Sequence, residues 1–406
     1  MDAKLPKGYQ MEEVLRRYFI KSGHYTLRGV PFVYQTFEVT DIDIWAYDRP
    51  SPVSRQRIIV DCKNKSTPKA IERIFWTKGL QNVLGIEQAI VATTDKRSEV
   101  ADFGREHGVV ILDGNFLARL EKSTEGFAQR LTEEQFIGQL ATYQPTKDSG
   151  DWKSRVKAAK KPFATGLGFN AINGWIHEAQ FFAEQVQLVP THKQQACRVL
   201  YLLLSFIAIG FDFVLKDFAF SESTIRLTFV NEGLRHGSPG MTNTNQVLRF
   251  AMGLIEHYVP ENRVVATKVK ERLTKDLDSL STRMLAEYVC KPSVSSELFG
   301  IAKELESAAY KAGFVCPQEL SSTAKSFLLL FSDFWNMDRT MLINSFEPQN
   351  DSRNSGAQKV LNHSSETPTN LVVPVDALTA SSESVEHQSG DQEKEQPILP
   401  GLHSGN

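Results

Sequence analysis

Cysteine is scarce in this chain. Four residues, Cys62, Cys197, Cys290 and Cys316, are spread over 406 positions with no CxxC pair and no cysteine–histidine cluster. That spacing argues against a zinc site and a disulfide framework, and it suits a reducing compartment. No GxxxxGK[ST] loop occurs, so any nucleotide requirement must be met by another protein. A strong charge of one sign is also missing. The formal net charge is −2; the segment from Phe346 onward holds nine Asp/Glu against three Lys/Arg, a balance of −6, which leaves the remainder at +4. A mildly basic body is compatible with nucleic acid without pointing to it. The opening MDAKLPKGYQMEEV lacks the charged, apolar, small order of a secretory signal. Long apolar runs are nearly absent. The one from Val199 to Leu215 is slightly short for a span of about 20 residues and contains Asp212. It reads as a buried helix, so the protein is expected to be cytoplasmic with no membrane partner.

What is present is an ordinary globular composition, 41% hydrophobic and 23% charged, of a length that suggests two or three domains. Met11, Val14, Leu15, Tyr18 and Phe19 form an apolar stripe at helical spacing that stops at Gly23. β-rich segments follow at 24–35, 37–47 and 57–64, with Pro31 marking the first as an edge or interrupted strand. A helix is expected over 68–84, with Ile71, Phe75, Leu80 and Val83 buried and Lys69, Arg73 and Lys78 exposed. Short apolar runs at 88–94 and 109–113 suit buried parallel strands, separated and followed by helices. Residues 1–122 are therefore expected to form an α/β domain, a mixed sheet covered by helices on both faces. Residues 123–160 read as a polar linker, partly helical, with a loop at TYQPTKDSGDW. Residues 161–345 read as a mainly helical domain in which only Ser223–Val230 suggests a strand and 267–288 reads as one helix. Residues 346–406, rich in Ser, Asn, Glu and Gln, are expected to be a disordered acidic tail.

The segment from Phe37 to Lys65 carries the chemistry. Side chains alternate along a strand, so Asp41 and Asp43 share one face while Ile42, Ile44 and Ala46 share the other. On the next strand Asp61 and Lys63 likewise point together. Such charges on a strand face need water, each other or a metal. A phosphodiester is negatively charged, and its hydrolysis needs that charge neutralised and a water deprotonated, for which Mg²⁺ held by carboxylates is suited.

An acidic residue on one strand, Asp-x-Lys on the next and a glutamate in an upstream helix together resemble the PD-(D/E)xK nucleases. The likeness is to their Mrr-like restriction endonuclease branch and the related archaeal-type junction resolvases. Glu12 resembles the first-helix glutamate, Asp41-Ile42-Asp43 the E-x-D strand, and Asp61-Cys62-Lys63 the E-C-K strand. The stretch from Ala89 to Leu120 resembles the closing strand–helix–strand–helix, including its Asp-Gly ending at Asp113-Gly114. The usual proline before the first motif is absent. Asp61 replaces the commoner glutamate and sets the carboxylate one methylene farther back. The likeness covers about the first 120 residues.

The resemblance implies a restriction-endonuclease-like fold and a Mg²⁺ site, with Mn²⁺ an alternative ion. Asp43, Asp61, the backbone carbonyl of Cys62 and Glu12 are its expected ligands, and Lys63 stands beside the attacking water. Asp41 is expected to orient Lys63 or a water, Lys65 to contact the phosphate backbone, and Gln81 to be the glutamine some relatives carry on the following helix. Each has a plainer reading: DCK as a structural ion pair, Glu12 as a solvated helix-dipole partner, Cys62 as a small core residue, and Lys69, Arg73 and Lys78 as a solvated face rather than a phosphate track. His236 and His257 lack partners at metal spacing, and residues 226–240 read as a plain surface loop.

The function expected is metal-dependent endonucleolytic cleavage of DNA in restriction or anti-phage defence. A structure-selective junction or repair nuclease is an alternative, as is a non-cleaving binding subunit of a larger complex. Expected partners are DNA, a second copy of the chain for cutting both strands, and a separate ATPase or sensor protein. In the tail, Gln396, Leu399 and Leu402 resemble the glutamine–leucine peptides that bind the bacterial sliding clamp, a subsidiary expectation since such short motifs also arise by chance.

Overall fold

The computed structural model describes residues 6–65, 69–122, 129–141, 151–238, 240–258 and 262–346. Helix α1 (Lys7–Lys21) buries Met11, Leu15 and Phe19 at helical spacing. The chain leaves it through Gly23, whose φ of 96° disfavours any side chain. Strands β1 (Tyr25–Tyr34), β2 (Phe37–Asp48) and β3 (Gln56–Lys63) pair antiparallel in sequence order. β1 lies at the sheet edge, where Pro31 and its missing N–H are tolerated. Helix α2 (Ala70–Leu84) then crosses to β4 (Gln88–Thr93), and α3 (Ser98–Glu106) to β5 (Val109–Leu112). Both of these strands run parallel to β3. Helix α4 (Gly114–Lys122) follows, and the sheet order is β1-β2-β3-β4-β5. This is the mixed sheet with flanking helices expected for the N-terminal part.

Alternation sorts the side chains of β2 and β3 onto two faces. Ile44, Ala46, Ile58, Val60 and Cys62 pack against Met11, Leu15 and Phe19 of α1 and Leu117 of α4. Trp45, Tyr47 and Ile59 enter the larger core on the opposite face. α2 covers part of that face, turned differently from the expectation. Ala70, Ile74, Thr77 and Gln81 are buried, whereas Phe75 and Val83 are 62% and 70% exposed. Burial of Gln81 is made tolerable by its amide donating to the Glu87 carbonyl, 3.0 Å away. The rotation carries Arg73 toward the sheet instead of into solvent.

Helices follow throughout: α5 (Glu133–Ala141), α6 (Trp152–Lys160), α7 (Pro162–Thr165), α8 (Phe169–Leu188), α9 (Lys193–Leu215), α10 (Ser223–His236), α11 (Gly240–Tyr258), α12 (Asn262–Ser279), α13 (Thr282–Val289), α14 (Pro292–Tyr310), α15 (Ser322–Phe334) and α16 (Arg339–Asn344). α9 is the axis, packed between α8 and α14. It is the one helix among the described residues long and apolar enough to cross a membrane, and 89% of its most apolar window is buried in the fold. Three expectations are corrected here. Ser223–Val230 begins a helix, not a strand, because Val230, Gly233 and Leu234 repeat at helical spacing onto the core. Gly233 lets the Phe169 ring come so close that a Cβ would lie 2.2 Å from it, so packing overrides β propensity. The single helix expected over 267–288 is two, α12 and α13, broken around Ser281. Within the expected linker, α5 and α6 bury Phe136, Leu140, Trp152 and Val156 in the same core as the sheet. Residues 142–150, most of the expected loop, lie outside the described residues. So does the tail from residue 347, with Gln396, Leu399 and Leu402.

Sheet and helices are joined by aromatic contacts and two buried ionic networks. The Trp45 ring meets Phe163 at 4.7 Å, and Phe163 stacks on Trp175 at 5.0 Å. Asp212, the lone carboxylate of α9 and fully buried, accepts from Tyr47 Oη at 2.6 Å and from Arg55 Nε at 2.5 Å, and pairs with Arg49 at 3.0 Å. The second network centres on Arg16, also fully buried, which reaches Glu13, Glu133 and Glu306. Burial alone would raise Glu133, but Lys160 and Arg16 hold its carboxyl down at about 2. Removing one partner from such a network strands the others in a low-dielectric interior.

Candidate metal centre

The ladder between β2 and β3 runs from Asp48↔Gln56 to Ile44↔Val60 and stops there. Beyond it β3 stays paired with β4, Asp61 opposite Val91 and Lys63 opposite Thr93, while β2 peels away toward the sheet edge. Asp43 fills the opening: its Oδ2 accepts the Cys62 backbone N–H at 2.7 Å, replacing the lost ladder bond. The result is a cleft of about 70 Å³ whose walls include Asp41, Asp43, Asp61, Lys63, Arg73 and Trp76. The alternation of β2 and β3 thus brings the expected core residues together.

The charges in the cleft are closely balanced. The Asp61 side chain is 11% exposed, and the Lys63 Nζ stands 3.8 Å from its Oδ1. Arg73 of α2 forks onto the same carboxylate, with Nε donating to Oδ2 at 2.8 Å and a terminal nitrogen donating to Oδ1. Burial pushes the Asp43 carboxyl up to about 6; the Cys62 N–H opposes this and the Asp61 charge adds to it. Asp41 sits at the exposed mouth, its carboxyl raised by partial burial and by Glu38, with Lys157 and Lys160 acting against.

The supporting residues fare unevenly. Glu12 is outside the cleft wall and pairs with Arg28 at 2.6 Å. Burial lifts its carboxyl to about 7 despite Arg28, and the charge of Asp43 contributes, so the two groups feel each other. Its neighbour Glu13, absent from the sequence reading, is the more buried of the pair and joins Arg28 to the Arg16 network. The Cys62 side chain belongs to the core and its thiol is pushed well up by burial, so its share in the site is the backbone. The Lys65 side chain is exposed and away from the cleft wall, and its carbonyl accepts from Thr94 Oγ1 at 2.6 Å. Gln81 does not reach the site, its amide being held by the Glu87 carbonyl and Lys78. Lys69, Arg73 and Lys78 do not form one basic track: Lys69 pairs with Glu72 and Arg73 turns inward. His236 lies beside Glu232, and the ring of His257 beside Tyr258.

Trp76 is a cleft residue that sequence reasoning did not name, and Arg73, read there as part of a solvated face, is another of its walls. Arg73, Trp76, Thr77 and Leu80 are spaced i, i+3, i+4 and i+7, one stripe of α2, and all four line the cleft. The donor set suits a hard divalent cation. Mg²⁺ retains several waters and is commonly held by only one or two carboxylates. Among the described residues no group of three or more His, Cys, Asp or Glu is placed to hold an ion; the cleft offers Asp43 and Asp61, with Asp41 at its mouth. Comparison with protein-family models, with curated proteins and with solved structures finds no match to this chain.

Proposed function

We propose that this chain is a cytoplasmic, metal-dependent endonuclease of the Mrr-like PD-(D/E)xK type, hydrolysing phosphodiester bonds of DNA in restriction or anti-phage defence. The observation that carries this reading is the meeting of Asp43, Asp61 and Lys63 in one small cleft where β2 parts from β3. Two carboxylates and an ammonium are costly to gather in a half-buried groove, and the raised Asp43 carboxyl shows that the Cys62 N–H offsets that cost only in part. Asp43 and Asp61 would hold Mg²⁺ or Mn²⁺ with the backbone carbonyl of Cys62. The ion, when bound, supplies positive charge to the phosphodiester and acidifies the attacking water. Lys63, beside Asp61, stabilises charge developing on the phosphate and orients that water. Asp41 at the mouth positions water or Lys63, and Glu12, within the field of Asp43, tunes its charge.

One such site cuts one strand, so a double-strand break needs two copies of the chain or two successive nicks. Regulation by an ATPase or sensor would come from a separate protein. One observation favours a second reading, a non-cleaving nucleic-acid-binding subunit: both oxygens of Asp61 are engaged by Arg73. Supercoiled plasmid incubated with the purified chain and Mg²⁺ separates the two. The nuclease reading expects nicked or linear product that disappears with Asp61→Ala and with Lys63→Ala. Intact plasmid, linear duplex, junction and modified DNA after incubation with the unaltered chain would leave the binding subunit standing.

A further inference from the structure

Arg73 is the cleft residue that the proposed chemistry leaves unused, and it occupies ground the chemistry needs. Its guanidinium covers both oxygens of Asp61 in a forked, charge-assisted pair. A cation that takes an Asp61 oxygen must break at least half of that fork. The side chain is able to leave. It is 25% exposed, and it extends from a helix whose backbone is held by buried Ala70, Ile74 and Thr77, so release needs only rotamer changes. The Trp76 ring, one turn along, already lies 5.7 Å from the guanidinium carbon at the cleft wall while Arg73 holds Asp61. A guanidinium freed from Asp61 would remain in the cleft it shares with Asp61 and Lys63, and its planar fork matches phosphate oxygens.

Resting on the nuclease reading above, we propose that Arg73 is a substrate-binding latch: it holds Asp61 in the metal-free protein and transfers to the DNA phosphate when a divalent ion enters. Ion and DNA then bind with positive coupling. DNA draws Arg73 off Asp61 and opens the carboxylate to the ion, and the ion frees Arg73 for the phosphate. Coupling of this kind is reciprocal, so it is readable from either ligand.

The test uses the full chain in a Lys63→Ala background, so that DNA is not cut, and compares it with added Arg73→Ala, Arg73→Lys and Asp43→Asn changes. Binding of Mn²⁺ alone is followed by electron paramagnetic resonance, and binding of a labelled duplex by anisotropy with and without Mn²⁺. Without DNA, Arg73→Ala should bind Mn²⁺ about ten- to a hundredfold more tightly, the range expected for losing charge-assisted hydrogen bonds that compete with the ion. With Mn²⁺, duplex affinity should rise in the parent and rise severalfold less in Arg73→Ala, which keeps the ion's own contact with the phosphate but loses the transferred guanidinium. Arg73→Lys, which retains charge without the fork, should fall between them and guards against a misfolded alanine variant. Mn²⁺ binding that Asp43→Asn abolishes but Arg73→Ala leaves unchanged or weakens overturns the latch and preserves the metal site. No Mn²⁺ binding by any form, with or without DNA, overturns both.

Discussion

Replacing Asp43 with asparagine should stabilise the metal-free protein while disabling it. Burial raises the Asp43 carboxyl to about 6 in the fold, whereas an unfolded chain leaves it near the ordinary aspartate value. A raised folded value means the native state prefers the protonated form. The stability it contributes is complete below about pH 4 and is lost as pH climbs through about 6. At pH 7.5 the wild type therefore carries a penalty of up to about 3 kcal/mol, from roughly two pH units at about 1.4 kcal/mol each. Asparagine removes the charge, and its amide oxygen still accepts the Cys62 N–H that Asp43 now holds. A gain of about 1–3 kcal/mol is expected in urea unfolding at pH 7.5 with chelator present, shrinking to nothing near pH 4. Mn²⁺ should reverse the ranking. At a thousandfold its dissociation constant it adds about 4.1 kcal/mol to the wild type and nothing to the variant. A variant no more stable at pH 7.5, or a gain that does not vary with pH, would refute the claim that this carboxylate is held charged at the fold's expense.

Asp212→Ala should cost about 3–5 kcal/mol in the same unfolding assay, because Arg55 and Tyr47 lose their buried partner. Combining Asp212→Leu with Arg55→Met should recover much of that loss, and a single-variant cost below about 1 kcal/mol contradicts the assignment. Initial cleavage rates should rise about tenfold per pH unit up to about pH 6 and then level off as Asp43 ionises. Raising the metal concentration should move that limb to lower pH, since the ion competes with the proton; a limb indifferent to metal places the titrating group elsewhere.

The part of the site carried by strand alternation was legible in the sequence. Period two put Asp43, Asp61 and Lys63 on one face, and the sheet kept them there. What alternation does not contain is the partner arriving from another element. The face α2 turns to the sheet depended on burying Thr77 and Gln81 in place of Phe75 and Val83, which no hydrophobic pattern anticipates. Arg73 was consequently read as solvated. Glu12 was singled out by its likeness to a first-helix glutamate, yet it and Glu13 both pair with Arg28, and Glu13 also meets Arg16 in a network reaching Glu133 and Glu306, more than a hundred residues away. Asp212 was noticed as an interruption in an apolar run, but its meaning lay in Arg49, Arg55 and Tyr47. Helix α10 was misread because Ile, Thr, Phe and Val favour strands locally, while Gly233 and Phe169 decide the matter by contact.

On the proposed reading Asp43 and Asp61 jointly hold a divalent cation against a DNA phosphate. Anomalous scattering from a crystal of the Lys63→Ala chain grown with duplex DNA and Mn²⁺ tests it most directly. One peak is expected roughly 2 Å from oxygens of both carboxylates, the ordinary hard-cation ligand distance, with Arg73 moved off Asp61. A cleft with DNA bound, no peak between the two aspartates and Arg73 still forked onto Asp61 would contradict it.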